Sequence, residues 1–277
     1  MTDATDTPDT PDTPIQQPHA VPDELRSLTE GATWESATFG YSGALVYRLR
    51  WAGRPARYLK VAAPPVDAEA REEAARLLWL RGKLPIPDLL AVHSDPAAMW
   101  LLFSEIPGVM SCDTRFAGDA PTVARLLAEG LRLIHGLDIL DCPFDRRLDR
   151  ALAIARARCL AGLVDETDFD DERQGRSAMD LLAELDTTRP AAEDPVFTHG
   201  DYCLPNVFLD PTGARLTGFI DWGRAGIADR YQDLALAARS LRYNFGSGWE
   251  PHLFDAYGLT DVDKAKLAYY QLLDEMF

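Results

Sequence analysis

Between residues 33 and 62 apolar and polar side chains alternate in three short runs, Trp34-Glu-Ser-Ala-Thr-Phe39, Leu45-Val-Tyr-Arg-Leu-Arg-Trp51 and Arg57-Tyr-Leu-Lys-Val61. A period of two sends successive side chains to opposite faces of a strand. Gly40, Ser42 and Gly43 punctuate the first pair of runs, and Gly53 with Pro55 the second, so the stretch reads as an antiparallel meander. The period then lengthens. From Asp67 to Leu80 the apolar positions Ala70, Ala74, Leu77 and Leu78 fall at helical spacing, and the helix stops near Gly82, before Pro85 and Pro87. Strands follow over residues 89–92 and 100–103, and Ser104-Glu-Ile106 links them to a Pro107-Gly108 turn. Beyond Pro121 the pattern is mostly helical, with Val123, Leu126, Leu127, Leu131, Ile134 and Leu137 as one stripe. Further helices are expected over 148–163, 177–185, 231–243 and 262–276, and short strands over 196–198, 207–209 and 216–220.

This order predicts an α+β chain of two lobes, a β-rich lobe over 21–106 and a mainly helical one over 107–277. The first 20 residues are set apart by Asp6-Thr-Pro-Asp-Thr-Pro-Asp-Thr-Pro14, which has no large apolar side chain to bury and is expected to be a disordered tail. Charge narrows the function classes. With 44 acidic and 28 basic residues the formal net charge is -16, a field that repels nucleic acid and draws cations. No apolar run reaches the length of a membrane span and the start lacks the plan of a signal peptide, so a cytoplasmic protein is expected. Cys112, Cys142, Cys159 and Cys203 form no CxxC pair; free thiols are expected, with neither a zinc site nor a disulfide framework. No obligate protein partner is evident.

The chemistry concentrates in Thr198-His-Gly-Asp-Tyr-Cys-Leu-Pro-Asn206, a loop between apolar strands that holds Asp201 and, five positions on, Asn206. A second acid, Asp221, follows in Phe219-Ile-Asp-Trp-Gly223. This is the spacing of the catalytic and metal loops of phosphoryl-transfer enzymes. Such transfer needs a carboxylate to orient the attacking hydroxyl and take its proton, here Asp201, and oxygen donors for Mg²⁺, here Asn206 and Asp221. His199 is read as a brace for the loop, and Gly200 and Gly223 as sources of backbone freedom. The same reading requires a strand lysine for the phosphates of ATP and a helix glutamate to hold it. Lys60 and Glu73 fit, with Glu69 and Glu72 competing for the second place. The Gly40–Gly43 turn, with Ser42, would cover the phosphates.

From Trp34 to Phe277 the chain resembles the bacterial aminoglycoside phosphotransferases, most closely the 3′-phosphotransferases, which share the protein-kinase-like fold. The resemblance is carried by Val196-Phe-Thr-His-Gly-Asp-Tyr-Cys-Leu-Pro-Asn206, by the segment from Gly218 to Asp233, by Glu73-Ala-Ala-Arg-Leu-Leu-Trp-Leu80 and by Leu272-Leu-Asp-Glu-Met-Phe277. It implies ATP with Mg²⁺, adenine at Ser104 to Ile106, and phosphorylation of a 3′-hydroxyl on a cationic aminoglycoside, conferring resistance in a bacterial cytoplasm. It further implies that the drug's ammonium groups meet Asp165, Asp168, Asp170 and Asp171 of an acidic run, together with Asp274, Glu275 and the Phe277 carboxylate. Carboxylates suit that task on their own chemistry, because a run of six acids in residues 165–172 repels itself unless solvated or given a cation. Arg224 resembles a family arginine that meets phosphate, with a salt bridge to Asp229 or Asp233 as the other reading. The alternatives are a kinase for another small alcohol or antibiotic, and a catalytically dead nucleotide-binding module.

Overall fold

A computed structural model describes residues 21–37 and 43–277; the expected tail and the turn positions Gly40 and Ser42 lie outside them. In chain order the elements are α1 (Asp23–Thr29), β1 (Thr33–Ser36), β2 (Leu45–Arg50), β3 (Arg57–Ala62), α2 (Asp67–Leu80), β4 (Leu89–Ser94), β5 (Met99–Ser104) and β6 (Val109–Met110). They continue with α3 (Ala120–His135), α4 (Leu148–Leu160), α5 (Ala178–Thr187), β7 (Pro195–Thr198), β8 (Val207–Leu209), β9 (Leu216–Phe219), β10 (Gly226–Asp229), α6 (Tyr231–Phe245), α7 (Glu250–Tyr257) and α8 (Lys264–Asp274).

The chain divides into two compact units, the first running to Val109 and including Thr217–Gly223, the second made of Met110–Leu216 and Arg224–Phe277. The sequence places a single boundary after residue 106. The difference lies in the return of Thr217–Gly223 to the first unit, where the Phe219 amide donates to the Pro85 carbonyl at 3.0 Å and Trp222 is fully buried.

The first unit is built on an antiparallel sheet of order β1-β2-β3-β5-β4. In register, Tyr47, Leu59 and Leu102 line up on one face and share a core with Leu25, Trp34, Leu49 and Trp100. Burying each of these large side chains contributes about 1.5–3 kcal/mol. Leu25 comes from α1, a seven-residue helix too short to leave a periodic signal. The alternation that turns Leu59 into this core turns Lys60 to the other face, in register with Val46 and Leu101. Glu73 of α2 meets Lys60 on that side, and Ala70, Ala74, Leu77 and Leu80 are buried with it on the helix.

The second unit is mainly helical. In α3 the expected stripe of Val123, Leu126, Leu127, Leu131 and Ile134 is buried, and Asp119 caps the helix start through the Thr122 amide. Helix α8 is tied to α6 by Gln271, which donates to the Ala235 carbonyl at 3.1 Å. Helix α4 stops at Leu160, three residues before the expected end, because Gly162 takes a positive φ of 65°. Strands β7 and β10 pair antiparallel, with Thr198 opposite Gly226, and this pair delivers the 198–206 loop. Neither β10 nor α7 is expected from the pattern; one has four residues and the other eight. The α+β expectation holds, with the sheet in the first unit and most helices in the second.

Candidate active site

In the first unit three of the expected residues come together. Lys60 Nζ lies 2.8 Å from Glu73 Oε2 and 3.7 Å from Asp221 Oδ1. Glu73 is the partner among the three competing glutamates: Glu72 bonds Arg76 at 2.5 Å, and Glu69 acts on Lys60 through space only, as a minor contribution. Burial pulls the Lys60 ammonium down, but Glu73 and then Asp221 outweigh it and hold it above its ordinary range. Burial pushes the Glu73 carboxyl up, against the pull of Lys60 and of the Trp222 backbone amide. Asp221 has φ 64° and is the one non-glycine residue with positive φ among the described residues. The backbone freedom expected at Gly223 is therefore needed two residues earlier, at a position a carboxylate occupies despite the strain. The link of 104–106 is pinned: Asp88 and Ser104 exchange two bonds at 2.9 and 3.0 Å, and Glu105 accepts from Arg48 at 2.8 Å. Ile106 is buried, and its side chain lies 3.0 Å from where a β-carbon on Gly218 would sit.

In the second unit Asp201 and Asn206 form a closed pair. The Asn206 side-chain amide donates to the Asp201 carbonyl at 2.9 Å and to its Oδ2 at 3.0 Å. His199 is fully buried, its Nδ1 accepts from the Asp201 amide at 3.3 Å and its ring meets Tyr202 edge-on, so it braces the loop as expected. Gly200 has φ 83°, and a β-carbon there would stand 2.3 Å from the Arg224 carbonyl oxygen. Only glycine fits.

The loop is held from beneath by Asp233, which the sequence reading assigns no site role. Fully buried, it accepts from the His199 amide at 2.7 Å and the Gly200 amide at 2.8 Å. His135 Nε2 approaches it at 3.2 Å, and His135 Nδ1 lies 2.8 Å from the Tyr257 hydroxyl. A carboxylate that already accepts two amides requires a proton on the Nε2 that faces it. The available signal was the position of Asp233 at the start of an apolar helical run, where a buried acid must find donors.

The terminal acids are not bare. Arg224 donates to Asp274 at 3.2 Å, a partner the sequence reading does not name. Asp229 is engaged by Lys266 at 2.5 Å and by the Asp194 and Tyr231 amides, and Asp233 by the loop. Arg239 joins Asp274 and lies 3.6 Å from Glu275. Arg173 joins Asp170 and lies 3.4 Å from Glu275, which accepts from the Asp170 amide at 3.3 Å. Burial, then the neighbouring Asp170, push the Glu275 carboxyl up to about 7, against Arg239 and Arg173. Asp165, Asp168 and Asp171 stay exposed outside this network, Asp165 closing a turn onto Thr167. The Phe277 ring lies 5.3 Å from the guanidinium of Arg146, 5.7 Å from Arg224 and 6.0 Å from Arg158. A small cavity is lined by Thr198 and Gly200 of the loop together with Arg224, Gln232, Asp274 and Phe277. The four cysteines are half-buried thiols. Among the described residues no helix is long and apolar enough to cross a membrane.

The arrangement is similar to that of known proteins. A model of the phosphotransferase enzyme family matches residues 34–270. The chain is 44% identical over 254 residues to an aminoglycoside 3′-phosphotransferase of Streptomyces fradiae, covering 88% of this chain and 95% of that one. Among solved structures, an aminoglycoside-3′-phosphotransferase of type VIII superposes with a TM-score of 0.84 at 40% identity, covering 92% of this chain and 97% of the other. Aminoglycoside phosphotransferase APH(3″)-Id from Streptomyces rimosus, solved with ADP and streptomycin, has a TM-score of 0.77 at 30% identity, covering 91% of this chain and 95% of that one.

Proposed function

Because the chain belongs to the phosphotransferase enzyme family, we propose that it transfers the γ-phosphoryl group of ATP to the 3′-hydroxyl of an aminoglycoside, conferring resistance to such drugs. The observation that carries the kinase reading is the buried Lys60–Glu73 pair with Asp221 beside it. A strand lysine charged and aimed by a buried glutamate is the part that holds ATP phosphates.

Asp201 orients the sugar hydroxyl and takes its proton as the new oxygen–phosphorus bond forms and the bond to the β-phosphate oxygen breaks. Lys60 holds the phosphates, and Ser104 to Ile106 receive the adenine. The residues fit Mg²⁺: the Asn206 amide nitrogen is committed to Asp201, which leaves the Asn206 carbonyl oxygen and the Asp221 carboxylate as hard oxygen donors. When bound, Mg²⁺ neutralises charge developing on the phosphate oxygens. Asp165, Asp168, Asp170 and Asp171, with Asp274, Glu275 and Phe277, are the ligands for the drug's ammonium groups, and Arg224 sits among them as the partner of Asp274.

The test is turnover with ATP and kanamycin, followed by assignment of the phosphorylated carbon by NMR, alongside a 3′-deoxy analogue. ADP release with phosphate on the 3′ oxygen is expected, and no turnover of the analogue. Failure to phosphorylate any aminoglycoside would sink the reading, and turnover of the analogue would move the reaction to another hydroxyl.

A further inference from the structure

Arg158 lies in the last turn of α4, where a cation is favoured by the helix dipole. Its guanidinium faces backbone on two sides. Nε donates to the Met276 carbonyl at 2.9 Å, and Nη2 to the Leu163 carbonyl at 3.1 Å and to a main-chain oxygen of Phe277 at 3.4 Å. Leu163 stands two residues before Asp165, where the acidic run opens, and Met276 directly follows Glu275. One planar group therefore ties the chain entering the first acidic segment to the chain leaving the second. A second tie joins the same two segments, where Arg173 bridges Asp170 and Glu275.

We propose that Arg158 is a positioning residue that fixes the separation of the 165–172 and 274–277 segments, and thereby sets which spacing of ammonium groups the enzyme accepts. The inference rests on the reading of both segments as aminoglycoside ligands. Several ammonium groups on a stiff sugar scaffold gain most from carboxylates already held at matching distances, because the cost of ordering is then met before binding. The tie must be an arginine. It needs donors on two edges of one rigid plane, and the lysine ammonium is a point charge on a flexible stem that cannot span Met276 and Leu163 together.

The test compares R158K and R158M with D170N and E275Q by steady-state kinetics with kanamycin and ATP, and by melting temperature. Both Arg158 variants are expected to raise the kanamycin KM about tenfold, while the ATP KM stays within about twofold and the melting temperature moves little. Restoration of the kanamycin KM by R158K, but not by R158M, would show that charge alone matters and overturn the positioning role. So would an equal rise in both KM values, or no change in either variant while D170N and E275Q raise the kanamycin KM. If D170N and E275Q also leave that KM unchanged, the assignment of these acids to the substrate fails first, and the proposal with it.

Discussion

Asn206 grips Asp201 twice, through the backbone carbonyl at 2.9 Å and the carboxylate Oδ2 at 3.0 Å. The pair fixes the side-chain torsion of Asp201, so the carboxylate is presented without searching rotamers when a hydroxyl arrives.

Replacing that carboxylate by its isosteric amide keeps the shape and removes the proton acceptor. Asp201→Asn is expected to lower kcat by about 10²–10⁴-fold while ADP affinity, measured by calorimetry, stays near wild type. Activity within about tenfold of wild type would remove Asp201 from its role.

The buried pair of Lys60 and Glu73 separates stability from activity. Lys60→Met strands Glu73 in a site where its side chain is only 6% exposed, and breaking such a pair costs about 3–5 kcal/mol. The double variant Lys60→Met with Glu73→Leu removes both charges and should recover most of that loss in chemical denaturation, yet remain inactive. A double variant as unstable as the single one would show that the pair is held by its surroundings rather than by its charges.

Much of the first unit was legible because its elements advertise one face. Helix α2 runs from Asp67 to Leu80 as the apolar spacing requires, and the period of two in β3 already separated Lys60 from Leu59. The spacing of Asp201, Asn206 and Asp221 likewise pointed to chemistry before any geometry. What could not be read were partnerships between distant positions. Nothing local to Asp274 announces Arg224 and Arg239, 50 and 35 residues earlier, and a run of acids looks the same whether its members face water, as Asp168 does, or an arginine, as Asp170 does. Asp233 carried no signal apart from its setting, because the donors it satisfies are backbone amides 33 and 34 residues away. The backbone freedom that Asp221 needs was assigned to Gly223, two residues on, since glycine is the residue that ordinarily adopts a positive φ.

Glu275 supplies a pH dependence with a definite sign. Its carboxyl is raised from 4.5 to about 7 in the folded chain, by burial first and by Asp170 next. A raised acid binds its proton more tightly when folded, so its contribution is full below the unfolded value and is lost as pH rises through about 7. Across that window the melting temperature of wild type should fall relative to that of Glu275→Gln, whose side chain cannot ionise. Parallel curves for the two proteins would mean that Glu275 titrates at its ordinary value.

Asp221 offers the sharpest test of strain held for function. At φ 64° alanine bears the clash of its β-carbon with the following carbonyl, and glycine does not. Both substitutions remove the carboxylate, so both should abolish turnover and weaken the phosphate side of the site equally. They should differ in stability, with Asp221→Gly above Asp221→Ala by about 1 kcal/mol after glycine's greater freedom in the unfolded chain is counted against it. In a chain of this size that is a gap of about 2–4 °C in melting temperature. Equal melting temperatures would show that the left-handed backbone at this position carries no strain. An ordering with alanine more stable would mean that the segment relaxes out of it once the charge beside Lys60 is gone.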